Sequence, residues 1–147
     1  MIPEHIFRAY DIRGIYGVDL NEETALRIGR ASSTYLKDKG KEAIIGRDIR
    51  LSGRPLEDAL IKGLISGGCD VEDIEVVTTP ILYFTTAHNE KDFGIMVTAS
   101  HNPPEWNGFK IWTKNGFICE GKGMEDIKKI AIDARFEGSA PGAINKN

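Results

Sequence analysis

Cysteine is scarce in this sequence. Cys69 and Cys119 are the only two in 147 residues, and they lie fifty positions apart in neither a metal nor a redox spacing. A disulfide scaffold and a cysteine-built zinc site are thereby excluded, and two reduced thiols in a cytoplasmic protein are expected. Long apolar runs are missing too: none approaches the roughly 20 residues that cross a bilayer. The first twenty residues carry Pro3, Glu4, Arg8, Asp11 and Arg13 where a secretory leader would be apolar. Nor is there an excess of positive charge. The 19 Lys+Arg face 22 Asp+Glu for a net charge of −3, which speaks against a nonspecific nucleic-acid binder. No internal repeat and no low-complexity tract is present.

What remains describes one ordinary folded domain. The chain is 41% hydrophobic and 28% charged, with 16 glycines and 6 prolines, and its length suffices for one sizeable core. The charge is uneven. Residues 1–54 hold 10 basic and 8 acidic side chains, and Arg8, Arg13, Arg47, Arg50 and Arg54 are five of the eight arginines.

Periodicity predicts alternating strands and helices. Ile6 to Gly17 reads as an extended segment with a turn. Asn21 is placed to cap a helix whose stripe is Ala25, Ile28, Gly29, Ser32, Tyr35 and Leu36. Ala43 to Gly46 is a short buried strand running into the polar loop Arg47-Asp48-Ile49-Arg50. Ser52 is expected to cap a second helix, with Leu56, Ala59, Leu60, Gly63 and Leu64 inward and Gly67-Gly68 as its stop. Val71 to Val77 is a strand candidate and Pro80 to His88 a short helix. Phe93 to Val97 is a third apolar strand, and it runs into Thr98-Ala99-Ser100-His101-Asn102-Pro103. Asn115-Gly116 signals a hairpin between Phe109–Trp112 and Phe117–Cys119. A last helix, Met124 to Arg135, turns Met124, Ile127, Ile130, Ala131 and Ala134 inward, and residues 138–147 read as a linker. The pattern is that of an α/β domain with a mixed, mostly parallel sheet, and ligands in such sheets bind beyond the carboxyl ends of the strands.

Polar sequence collects at those ends. Ser100, at the exit of a buried strand, is a candidate nucleophile, or one residue of an ordinary Ser/Asn/Pro turn beside a solvated His101. A serine hydrolase is disfavoured, because no G-x-S-x-G elbow is present and adjacent residues seldom face each other as a triad requires. Arg13, Arg47 and Arg50 lie in loops, where guanidinium forks suit phosphate oxygens. They could equally be paired with Asp11 and Asp48. Lys110 could clamp a phosphate, carry a proton or extend to water.

Four blocks occur in order along the chain: FRAYDIRG (Phe7 to Gly14), GRDIRLSG (Gly46 to Gly53), TTPILYF (Thr78 to Phe84) and GIMVTASHNPPEWNGFKI (Gly94 to Ile111). In these the sequence resembles the N-terminal, phosphoserine domain of the α-D-phosphohexomutase family, in its phosphomannomutase/phosphoglucomutase branch. The resemblance implies a three-layer α/β/α domain over residues 1–137, the first of four, with 138–147 leading to the second. It implies that Ser100 carries the phosphate, that His101 lies in the transfer site, and that Lys110 acts as acid or base toward the sugar hydroxyl. Tyr10 and Arg13 would line the cleft, and Arg47 would approach the phosphoserine. Where many relatives have a second serine, this chain has Gly53.

The implied reaction moves phosphate between the 1- and 6-positions of a mannose or glucose phosphate through a hexose 1,6-bisphosphate. Magnesium would be held by the Ser100 phosphate and by aspartates of a second domain, and no D-x-D-x-D occurs in this sequence. The expected partners are therefore hexose phosphates and domains II–IV, with neither nucleic acid nor membrane among them, and the 147 residues alone are expected to be inactive. A non-catalytic phosphosugar- or anion-binding module is the alternative.

Overall fold

A computed structural model describes residues 2–36, 41–114, 117–137 and 140–146. Its elements, in chain order, are a 3-10 turn (Glu4–Ile6), β1 (Ile12–Ile15), α1 (Glu22–Tyr35), β2 (Glu42–Arg47), α2 (Gly53–Ser66), β3 (Asp70–Val76), α3 (Thr79–His88), β4 (Phe93–Val97), β5 (Trp106–Thr113), α4 (Lys122–Asp133) and β6 (Ile144–Lys146). The six strands form one sheet in the order β1-β5-β4-β2-β3-β6. β2 runs parallel to β3 and β4, and β6 runs parallel to β3. β5 is antiparallel to both β4 and β1. The fold is thus the expected mixed, mostly parallel α/β sheet.

Alternation along the strands divides the molecule into layers. Ile12, Ile45, Val71, Ile95, Val97, Phe109 and Ile111 point to one face, where they meet Ile28 of α1, Leu60 of α2 and Ile127 of α4 in the large core. The opposite face is thinner, with Ile44, Met96 and Trp112 packing against Leu82 of α3. The α1–α2 contact is close because glycines face each other across it. A Cβ on Gly29 would run into the Leu60 carbonyl, and one on Gly63 into the Leu26 carbonyl.

Several local expectations hold. Asn21 Oδ1 accepts the Thr24 amide at 2.9 Å as the cap of α1, and α2 stops at Gly67, followed by Gly68 at φ 94°. Both cysteines are free and buried, and burial pushes each thiol up to about 11.

Other expectations are corrected. Ser52 does not cap α2. Its own backbone is already helical (φ −75°, ψ −8°), and its Oγ accepts the Asn107 amide at 2.8 Å, satisfying a side chain that is fully buried. Arg13 lies within β1 and Arg47 ends β2, so of the three arginines expected in loops only Arg50 is in one. The second arm of the expected hairpin is a single bridge, Ile118 to Trp112, and its Asn115-Gly116 turn lies outside the described residues. The sheet is mixed because β5 alone runs against its two neighbours, β4 and β1. Ala134 faces solvent as the left-handed end of α4. The tail read as a linker contains β6, seated beside β3 by the Val71 amide bond to the Ala143 carbonyl at 2.8 Å.

Candidate active site

The site residues gather at the carboxyl end of β4, the strand buried along its whole length. Arg47 of β2 pairs with Val97 of β4, which pairs with Phe109 of β5, which pairs with Ile12 of β1. One row further, the Thr98 amide reaches the Gly108 carbonyl at 2.9 Å, and Gly108 pairs with Arg13. Two adjacent rows of the sheet therefore place Arg47 and Arg13 on either side of the strand that delivers Ser100.

The two arginines nevertheless leave the sheet on opposite faces. Arg47 shares the side of Ile45 and Val97 and points under α2, where its Nη1 lies 2.6 Å from Glu57 Oε1. Arg13 and Lys110 alternate with core residues (Ile12; Phe109 and Ile111), so both point to the α3 face. Arg13 Nε lies 2.8 Å from Asp11 Oδ2. Lys110 is half-buried beside Met96, while Tyr10 is 59% exposed on the turn before β1. Arg8 stacks over the Trp106 ring at 5.8 Å. Of the alternatives open for the three arginines, pairing with Asp11 and Asp48 is what this structure shows for Arg13 and Arg50. Arg47 takes a partner that spacing did not suggest.

Ser100 and His101 are exposed at the tip of the loop. Ser100 has φ 55°, in the left-handed region where a side chain costs about 1–2 kcal/mol. The Ser100 amide donates to Thr98 Oγ1 at 3.0 Å, and Thr98 Oγ1 donates to Asp48 Oδ2 at 2.6 Å. A groove of about 440 Å3 runs beside the serine, lined by Asp48, Ile49, Arg50, Leu51, Asn102 and Pro104. It has the size and polarity of a small-ligand cleft.

Sequence reasoning missed Glu57. This carboxyl is fully buried, and its Oε2 has no hydrogen-bond partner. Burial pushes its pKa up to about 7, helped by buried Asp73 and by Asp58 and opposed by Arg47. The signal was present: Glu57 occupies a core position in the stripe of Leu56, Leu60 and Leu64. Among the described residues no group of three or more His, Cys, Asp or Glu side chains could hold a metal. Asp48, the carboxylate nearest the serine loop, is already engaged by Thr98 and Arg50. These residues do not by themselves fit a magnesium site.

Comparison with known proteins places the domain in a family. Residues 4–137 match the family model described as phosphoglucomutase/phosphomannomutase, alpha/beta/alpha domain I. A phosphomannomutase/phosphoglucomutase of Pseudomonas aeruginosa is 50% identical over 137 residues, 92% of this chain and 28% of that protein. A phosphoglucomutase/phosphomannomutase of Thermococcus kodakarensis is 46% identical over 134 residues, 89% of this chain and 28% of that protein. A crystal structure of a phosphoglucomutase/phosphomannomutase family protein from Burkholderia thailandensis superposes with a TM-score of 0.90 at 39% identity, covering 99% of this chain and 33% of the other. The chain belongs to the phosphoglucomutase/phosphomannomutase family and corresponds to its domain I. It spans 28% of the length of these two curated relatives. Among the described residues no helix is long and apolar enough to cross a membrane.

Proposed function

We propose that Ser100 is the phosphate carrier of a phosphohexomutase acting on mannose and glucose phosphates in the cytoplasm, and that this chain works together with domains II–IV of a longer protein. The observation that carries the reading is the serine itself. It is solvent-facing and held at a left-handed φ beyond β4, a strand buried throughout, in a chain whose relatives are named as mutases of these two sugars.

The chemistry is a balanced exchange. A hydroxyl oxygen of the hexose phosphate attacks the phosphorus of phospho-Ser100, the P–Oγ bond breaks and its electron pair returns to Oγ. The hydroxyl proton passes to Lys110 as the base, and His101, next to the serine, supplies the proton Oγ requires. The product is a hexose 1,6-bisphosphate, which turns over and returns its other phosphate to Ser100 by the reverse steps. Arg13, on the same sheet face as Lys110, and Tyr10 are suited to hold the phosphosugar, since phosphoryl transfer depends mainly on positioning and charge. Magnesium, when bound, would neutralise phosphate charge with ligands supplied mainly from outside these residues.

The test is a steady-state assay of the full-length protein with mannose and glucose phosphates, beside intact-mass measurement. Ser100→Ala is expected to lose both turnover and the single phosphate while unfolding at an unchanged temperature. Full turnover in that variant would refute the reading and leave an anion-binding module. The 147 residues alone are expected to show no turnover, and normal turnover by them would remove the need for other domains.

A further inference from the structure

The guanidinium of Arg50 is placed like a phosphate ligand but has no donor left for a phosphate. Nη1 donates to the Pro103 carbonyl at 2.7 Å and to the Trp106 carbonyl at 3.1 Å. Nη2 donates to the Ser100 carbonyl at 2.9 Å and to the Asn102 carbonyl at 2.8 Å. Nε lies 3.3 Å from Asp48 Oδ2. An arginine has five N–H donors, and all five are used. The side chain is only 12% exposed.

These bonds close a ring around the serine. Its carbonyl is tied to Arg50, its amide to Thr98 Oγ1, Thr98 to Asp48, and Asp48 back to Arg50. Asp48 is itself held to the sheet, its amide donating to the Val97 carbonyl at 3.1 Å. Both peptide groups flanking the Ser100 Cα are thereby fixed. A left-handed φ at a residue with a side chain persists only where its surroundings enforce it, and this ring supplies the enforcement.

We propose that Arg50, acting through Asp48 and Thr98, is a positioning residue that locks the Ser100 loop and aims its hydroxyl, and that it is not a ligand of the transferred phosphate. The inference rests on the reading of Ser100 as the phosphate carrier. If the carrier is misaligned but the sugar still binds, kcat falls and KM stays. A group misplaced by about 1 Å can cost about 100-fold in rate.

In the full-length protein, Arg50→Ala is expected to lower kcat about 100-fold while leaving KM for the hexose phosphate within about twofold. Added guanidinium ion should restore part of that kcat, and an equal concentration of sodium chloride should not. Arg50→Lys should recover little, because a single ammonium cannot span four carbonyls and a carboxylate. Thr98→Val removes the bridge from the other side and should reproduce the kcat-selective loss if Arg50→Ala folds poorly. Arg54→Ala, at a side chain 62% exposed, is the unaffected control. A wild-type kcat in Arg50→Ala, or a loss carried by KM, would overturn the clamp.

Hydrogen exchange in the 147-residue chain gives a readout that does not depend on activity. The Ser100 amide should exchange about tenfold faster in Arg50→Ala than in wild type, and unchanged exchange there would also overturn the proposal. If the wild-type protein carries no phosphate and turns nothing over, the carrier reading falls and the exchange result alone decides the clamp.

Discussion

Replacing Glu57 by glutamine should reshape the dependence of stability on pH. The folded chain holds the Glu57 proton up to about pH 7, whereas the unfolded chain releases it near 4.5. Between those values the native state binds more protons than the unfolded state, so stability falls as pH rises and levels off above the native pKa. At about 1.36 kcal/mol per pH unit the whole span is worth about 3 kcal/mol, of which about 2.5 kcal/mol lies between about pH 5 and about pH 8. Glutamine keeps an oxygen for Arg47 Nη1 but cannot ionise, so Glu57→Gln lacks this slope. A constant offset from burying its amide without a partner, about 1–3 kcal/mol, moves the whole curve and leaves its shape intact. The assay is urea unfolding of both proteins across that pH range, read as the difference between them. In a domain of this size the expected change is about 5–10 °C of relative Tm. Curves that run parallel from about pH 5 to about pH 8 would show that Arg47 holds Glu57 ionised throughout, and the account of its burial would be wrong.

Two further outcomes follow from backbone geometry. Gly63→Ala should destabilise the chain by at least about 2 kcal/mol in urea unfolding, because the new Cβ meets the Leu26 carbonyl and the Arg30 amide across α1, and neither can yield as a side chain would. Ser100→Gly should raise stability by about 1 kcal/mol by relieving the left-handed φ, and a loss of stability would mean that the loop does not strain the serine.

The layers were legible because they depend on periodicity. The stripes of α1 and α2 and the apolar runs of β2 and β4 announce what they bury, and the cap at Asn21 requires only a local residue type. What failed depends on partners far along the chain. Ser52 looks like a helix cap until Asn107, fifty-five positions away, requires its oxygen. β6 looks like a linker because three residues of an edge strand carry almost no periodic signal, and its place is set by pairing with β3.

The site divides in the same way, and the division explains why residue type misled. The position of Ser100 was readable because a polar loop after an apolar run marks a strand exit. The arginines could not be sorted by type, since phosphate ligation and carbonyl clamping use the same fork. Saturation of the donors sorts them. Arg50 spends all five N–H groups within its own chain, and Arg47 spends one on an acid sunk beneath α2. Arg13 keeps a 30% exposed side chain on the face that Lys110 shares. For an incoming phosphate, that makes Arg13 the arginine of the three best able to turn without breaking the loop that presents the serine. The three arginines read alike in the sequence are thus employed differently: Arg50 fixes the loop that carries Ser100, Arg47 is tied to Glu57, and Arg13 stays part-exposed beside Asp11.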